Sequence, residues 1–137
     1  MKWIWAPIAA LLMALGIMMP SNDIHRDTLL GEMTTAQQTI FIDRIQRHEG
    51  YYVSGSRAER NNNPGNIISS PFTDRHGSIG SDGRFAIFPD YATGRKALHT
   101  LLFKTRVYPT LTVEKAIARY APSIENNVEA YIRSVTD

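Results

Sequence analysis

The stretch RIQRHEGYYVSGSRAERNNNPGNI, residues 44 to 67, gathers the side chains best suited to chemistry. Helical periodicity ends at Gly50, which makes Glu49 a carboxylate in the last helical turn. A helix C-terminus carries roughly half a negative charge, so an acidic group there is destabilised by about 0.3–1 kcal/mol. The same repulsion favours the protonated form, and burial in a cleft acts in the same direction. A carboxylic acid that keeps its proton near neutral pH can serve as a general acid, protonating a leaving-group oxygen. The plainer reading is a surface ion pair with Arg44, Arg47 or His48.

The loop that follows adds Asn61, Asn62, Asn63 and Asn66, with Pro64 and Gly65 between them fixing a tight turn. Asparagine amides both donate and accept, which suits the hydroxyls and acetamides of a sugar chain. They equally suit a turn that bonds its own backbone. Tyr51 and Tyr52 offer rings that can stack on sugars or fill a core. Acid–base chemistry often pairs such an acid with a second carboxylate held in a different environment. The candidates are Asp82, Glu59 and Asp74, and Asp82 lies in a Ser-Asp-Gly run that also fits a plain hairpin turn. Tyr120 and Glu125, on either side of Ala-Pro-Ser-Ile, are further candidates for the edge of a cleft.

The elements that position these groups follow from pattern. Thr34 or Thr35 caps a first helix, with Gln37 or Gln38 completing a capping box and Ile40, Phe41, Ile45 and His48 at helical spacing. Residues 51 to 66 read as turn-rich loop. From Asn66 to Phe88 short strands are expected, with Ser81-Asp82-Gly83 as a hairpin turn. Asp90 caps a helix with an apolar stripe of Tyr91, Gly94, Ala97, Leu98, Leu101 and Leu102, and Gly94 inside it suggests close packing. Thr112 caps another helix, with Val113, Ala116, Ile117 and Tyr120 inward and Pro122 as its stop. Asn126 or Asn127 opens a last helix carrying Val128, Tyr131, Ile132 and Val135. The expected class is α+β, mainly helical, with a small antiparallel hairpin sheet after the first helix.

Composition bounds the rest. The chain has 137 residues, 43% of them hydrophobic and 20% charged, which fits one globular domain. With no cysteine, disulfides, thiolate metal sites and a cysteine nucleophile are excluded. His48, His76 and His99 lack a metal-ligand spacing, no HExxH or calcium loop occurs, and no cofactor is expected. Residues 41 to 106 hold ten Lys or Arg against six Asp or Glu, an excess of four that can face an anionic polymer. At the N-terminus Lys2 precedes an uncharged run from Trp3 to Met19, slightly shorter than the roughly 20 residues that span a bilayer. Residues 1–20 therefore read as a cleaved signal peptide or a signal anchor, residues 21–33 as a linker, and residues 34–137 as the functional domain. The positive-inside rule sends that domain across the inner membrane, to the periplasm or tethered facing it.

Taken together, HEG at the end of the first helix, RNNNPGNI, GSDGRFAIF followed by GRKAL, and ARYAPSIENNVEAYI resemble a family of phage and prophage endolysins with a lysozyme-like fold. The resemblance covers about residues 36 to 135. It implies cleavage of the β-1,4 bond between the amino sugars of peptidoglycan, with Glu49 as the catalytic acid, Asp82 as a candidate second group, and Tyr51, Asn61, Asn63, Asn66 and Tyr120 as candidate substrate contacts. It also implies peptidoglycan strands as partner, and a monomer is expected; scattered arginines and the export segment argue against a nucleic-acid partner. The export segment resembles the signal-arrest-release arrangement of some endolysins. Two alternatives stay open: a lytic transglycosylase, which uses one Glu and the substrate's own hydroxyl, and a wall-binding or virion protein without catalysis.

Overall fold

A computed structural model describes residues 8, 10, 11, 14–16, 21–121 and 127–137. Most of the N-terminal apolar run lies outside these residues, as do Pro122, Glu125 and Asn126. Among the described residues no helix is long and apolar enough to cross a membrane. The fold is mixed α+β, with helices dominating and a two-stranded antiparallel sheet.

Helix α1 runs Thr35–His48, opened by a capping box between Thr34 and Gln37. Glu49 is its C-cap and Gly50, at φ 82°, takes the left-handed position beyond it. Tyr51 N–H then reaches Gln46 O and Gly50 N–H reaches Arg47 O, closing the end in a Schellman pattern. Within the expected loop sits a short helix α2, Arg57–Arg60, capped by Ser56 and carrying Glu59 in its first turn. A second short helix α3, Pro71–Arg75, interrupts the expected strands, with Ser70 and Thr73 forming its capping box.

Strands β1 (Gly80–Ser81) and β2 (Ala86–Ile87) pair in antiparallel register, Gly80 opposite Ile87 and Ser81 opposite Ala86. The Asn-Ile-Ile run contributes an isolated bridge, Ile68 to Phe85, extended by Ser69 N–H to Arg84 O and Ala86 N–H to Ile67 O. Ala86 and Phe88 point into the core.

Helix α4, Tyr91–Phe103, is capped by Asp90 and buries Gly94, Ala97, Leu98 and Leu102. A Cβ at Gly94 would lie 1.9 Å from the backbone oxygen of Asn62, so only glycine lets this helix press against the asparagine loop. Helices α5 (Val113–Tyr120) and α6 (Val128–Val135), capped by Thr112 and Asn127, complete the bundle, with α6 packed on α1 and α5.

Residues 21–33, expected as a linker, are part of the domain. Ile24, Leu30 and Met33 are buried in the main core cluster. Leu29 bridges Thr112, Leu30 N–H bonds Leu111 O, and the 3-10 turn Leu30–Glu32 packs on the 3-10 turn Tyr108–Thr110. Ile24 N–H donates to the Asp137 carboxylate while Asp137 N–H returns a bond to Ile24 O. Three apolar residues in a polar segment carry no readable period, yet their burial stabilises by roughly 1.5–3 kcal/mol each.

Candidate functional site

A cleft of about 470 Å³ opens where the end of α1, the loop after the asparagines, the hairpin and helices α4 and α5 meet. Glu49 lines it, together with Asn66, Ile67, Ile68, Phe85, Tyr108 and Tyr120 and three arginines, Arg57, Arg84 and Arg119. Among the described residues, Glu49 is the one acidic side chain in this lining.

Glu49 is held at both carboxylate oxygens. The Tyr131 hydroxyl donates to Oε2 at 2.7 Å, and Asn66 Nδ2 donates to Oε1 at 3.1 Å and to the Glu49 backbone oxygen at 3.2 Å. Burial raises the Glu49 pKa, while the bonds from Tyr131 and Asn66 act against it. Among the described residues Glu49 has no ion pair of the kind the plainer reading offered: Arg44 bonds the Val135 carbonyl and Asp137 instead.

Tyr131 is fully buried on α6, 82 residues from Glu49, with its ring stacked 3.7 Å from that of His48. Its place in the apolar stripe marks it as core. A buried tyrosine hydroxyl nonetheless needs a partner, and Glu49 supplies one. Asn66 adopts φ 49°, a left-handed conformation that asparagine tolerates better than most residues. The two bonds from its Nδ2 orient the amide toward Glu49, and its Oδ1 has no hydrogen-bond partner among the described residues.

The other predicted site residues separate into two groups. Tyr120 lines the cleft and its hydroxyl donates to the Gly65 carbonyl, fixing the asparagine turn from α5. Asn61, Asn63, Asp82 and Tyr51 lie outside the cleft lining. Asn63 is fully buried, donating from Nδ2 to Ile67 O and Ala86 O and accepting from Ile67 N–H, each at 2.9 Å. Asn61 donates to Asp82 Oδ2 at 2.9 Å. Tyr51 stacks on Tyr91 at 4.8 Å and meets Tyr52 edge-on.

Asp82 is a turn-forming side chain. Its Oδ1 accepts from Arg84 N–H and Phe85 N–H, and these bonds with the one from Asn61 pull its pKa down to about 2. A carboxylate so committed is a weak base. Because its folded pKa lies below the ordinary 3.8, Asp82 stabilises the fold above that value and loses the contribution as pH falls toward about 2. In urea denaturation the lead of the wild type over Asp82→Asn is therefore expected at pH 7 and should shrink below about pH 4. On peptidoglycan, the substrate that the sequence resemblance implies, the rate of Asp82→Asn is expected to stay within about tenfold of wild type; a loss of 10²-fold or more would restore Asp82 as a catalytic candidate.

Among the described residues no group of three or more His, Cys, Asp or Glu is placed to hold a metal ion. Comparisons with protein-family models, curated proteins and solved structures gave no match.

Proposed function

We propose that the chain is a lysozyme-like glycosidase that cleaves the β-1,4 bonds between the amino sugars of peptidoglycan, with Glu49 as proton donor. The observation that carries this reading is a single carboxyl on the wall of an open cleft, its pKa raised by burial and its two oxygens fixed by Tyr131 and Asn66. Raised pKa and fixed aim are what a general acid requires. In the first step the Glu49 proton passes to the glycosidic oxygen as its bond to the anomeric carbon breaks. The resulting carboxylate accepts the two bonds from Tyr131 and Asn66, which stabilise it while positive charge builds on the sugar.

Asp82 is turned into its own hairpin, so Glu49 itself is the group placed to take the proton from the incoming hydroxyl. That hydroxyl belongs to water in hydrolysis or to the substrate in transglycosylation, and the single-carboxylate lining keeps the second route open. The uncharged run Trp3–Met19 supports export, with the domain acting on the periplasmic side.

Mass spectrometry of soluble fragments released from purified peptidoglycan tests the reading. Fragments with reducing ends are expected for a hydrolase and anhydro ends for a transglycosylase. Wall-bound, folded protein that releases no fragment would overturn the enzymatic assignment and leave a binding protein.

A further inference from the structure

The outer face of α4 carries cations on both sides of one ridge. Ala92 and Lys96 are exposed and shared by two cavities of about 410 and 380 Å³. Arg75 and His76, at the end of α3, close the first, while Thr39 and Ile42 of α1, with Arg95 and His99, close the second. Among the described residues neither lining holds a carboxylate. Arg95 is committed to Asp43 at 2.7 Å, but the side chains of Arg75, Lys96 and Lys104 make no hydrogen bond or ion pair among the described residues. Asp74 and Asp90, the carboxylates next to α3 and α4 in sequence, are tied to the Ser78 hydroxyl and the Thr93 N–H. Burial first, then Lys104 and Arg95, hold the His99 imidazole below its ordinary value, so the field on this face is positive.

This face adjoins the point where the chain enters the domain. Gln37 donates to the Asp23 carbonyl at 3.0 Å, Gln38 shares a hydrogen bond with His99 at 3.0 Å, and Thr39 lines the second cavity. Three consecutive residues of α1 thus link the entry point to the cations. The uncharged run ends at Met19, four residues before Asp23, a separation of at most about 14 Å. A bilayer holding that run is within reach of the α4 face, and a charged surface acts over a Debye length of about 10 Å at 0.1 M salt. Glu49 is ten residues beyond Thr39, about 15 Å further along α1, so contact at this end leaves the cleft clear.

We propose that the α4 face, through Arg75, Lys96 and Lys104, binds the phosphates of anionic phospholipid headgroups and seats the domain on the bilayer surface. The inference rests on the export reading of the run Trp3–Met19 and not on the chemistry of Glu49. Each cation near an anionic bilayer is worth about fivefold in affinity. A small cluster therefore suffices once the apolar run has brought the domain to the surface, because the second contact is then made within one molecule.

The chain has no cysteine, so Ala92→Cys can carry a single fluorophore on the ridge, with Val53→Cys, 63% exposed beyond the other end of α1, as the control position. The full chain is reconstituted with vesicles of phosphatidylcholine, alone or in equal parts with phosphatidylglycerol, that carry a quencher at headgroup level. The label at position 92 is expected to be quenched with phosphatidylglycerol, less so as salt rises, and little with phosphatidylcholine alone, while the label at position 53 responds little to either. Arg75→Gln, Lys96→Gln and Lys104→Gln together, with the fold checked by circular dichroism, should lower the ratio of docked to undocked domain by at least about tenfold. No quenching at position 92, equal quenching at both positions, indifference to phosphatidylglycerol, or quenching that survives the three substitutions would each overturn the proposal. Displacement by inorganic phosphate at matched ionic strength would also overturn it, by making the site one for free phosphate. Failure of the export reading registers separately, as protein that does not float with phosphatidylcholine vesicles, and failure of the glycosidase reading as wild-type protein that releases no fragment from cell walls.

Discussion

Glu49→Gln should lower the rate of fragment release from purified peptidoglycan by about 10²–10⁴-fold, the usual worth of a positioned general acid. The fold should survive, because glutamine keeps the shape and one acceptor for the Tyr131 hydroxyl. Its amide meets Asn66, whose Oδ1 has no partner among the described residues and can accept from it after the Asn66 amide turns over. Stability should move in the opposite direction to activity. Burial raises the Glu49 pKa, so the native state favours the protonated carboxyl and is penalised as pH rises through that elevated value. Glutamine does not ionise. The variant should therefore match wild type in acid and gain on it toward neutral pH, as read by thermal melting at a series of pH values. Release of fragments at the wild-type rate would remove Glu49 from catalysis, and a stability difference independent of pH would show that its carboxyl is not disfavoured in the ionised form.

Glu49 was legible in the sequence because its two local signals, the end of a helical period and a following glycine, act over a few residues. The caps at Thr34, Asp90, Thr112 and Asn127 were legible for the same reason, each a side chain bonding an N–H three residues on. Two short helices were not. Ser56 with Glu59, and Ser70 with Pro71 and Thr73, carry capping signals, but four or five residues hold too few turns to show a period. The contacts that aim Glu49 were hidden by distance along the chain: Tyr131 reads as an apolar-stripe residue until the packing of α6 on α1 brings its hydroxyl to Oε2. The cleft arginines were visible only as a regional excess of charge, since convergence on one cavity is a property of the fold. The loop asparagines look alike in sequence, and tertiary structure assigns them different work. Asn66 faces the cleft, Asn61 holds the hairpin turn, Asn62 donates to the Phe88 carbonyl, and Asn63 is sealed inside.

That division predicts opposite failures for neighbouring residues, and Asn63→Ala gives the larger effect on stability. Alanine removes the acceptor for Ile67 N–H and the donor for Ile67 O and Ala86 O, all in the buried seam between the asparagine turn and β2. Ile67 O keeps its bond from Ala86 N–H. Ile67 N–H loses the side-chain acceptor that held it, and a buried group left unsatisfied costs about 1–3 kcal/mol. Loss of the bond to Ala86 O adds to this, for a destabilisation of about 2–4 kcal/mol, a large fraction of the 5–15 kcal/mol typical of a domain. In urea the midpoint should fall with the slope unchanged, and at low temperature, where the protein remains folded, KM should stay within about threefold of wild type. A substrate contact would produce the reverse, a raised KM with an unmoved midpoint. The urea curve and the KM together decide whether Asn63 builds the loop that presents Asn66 to Glu49 or touches the glycan itself.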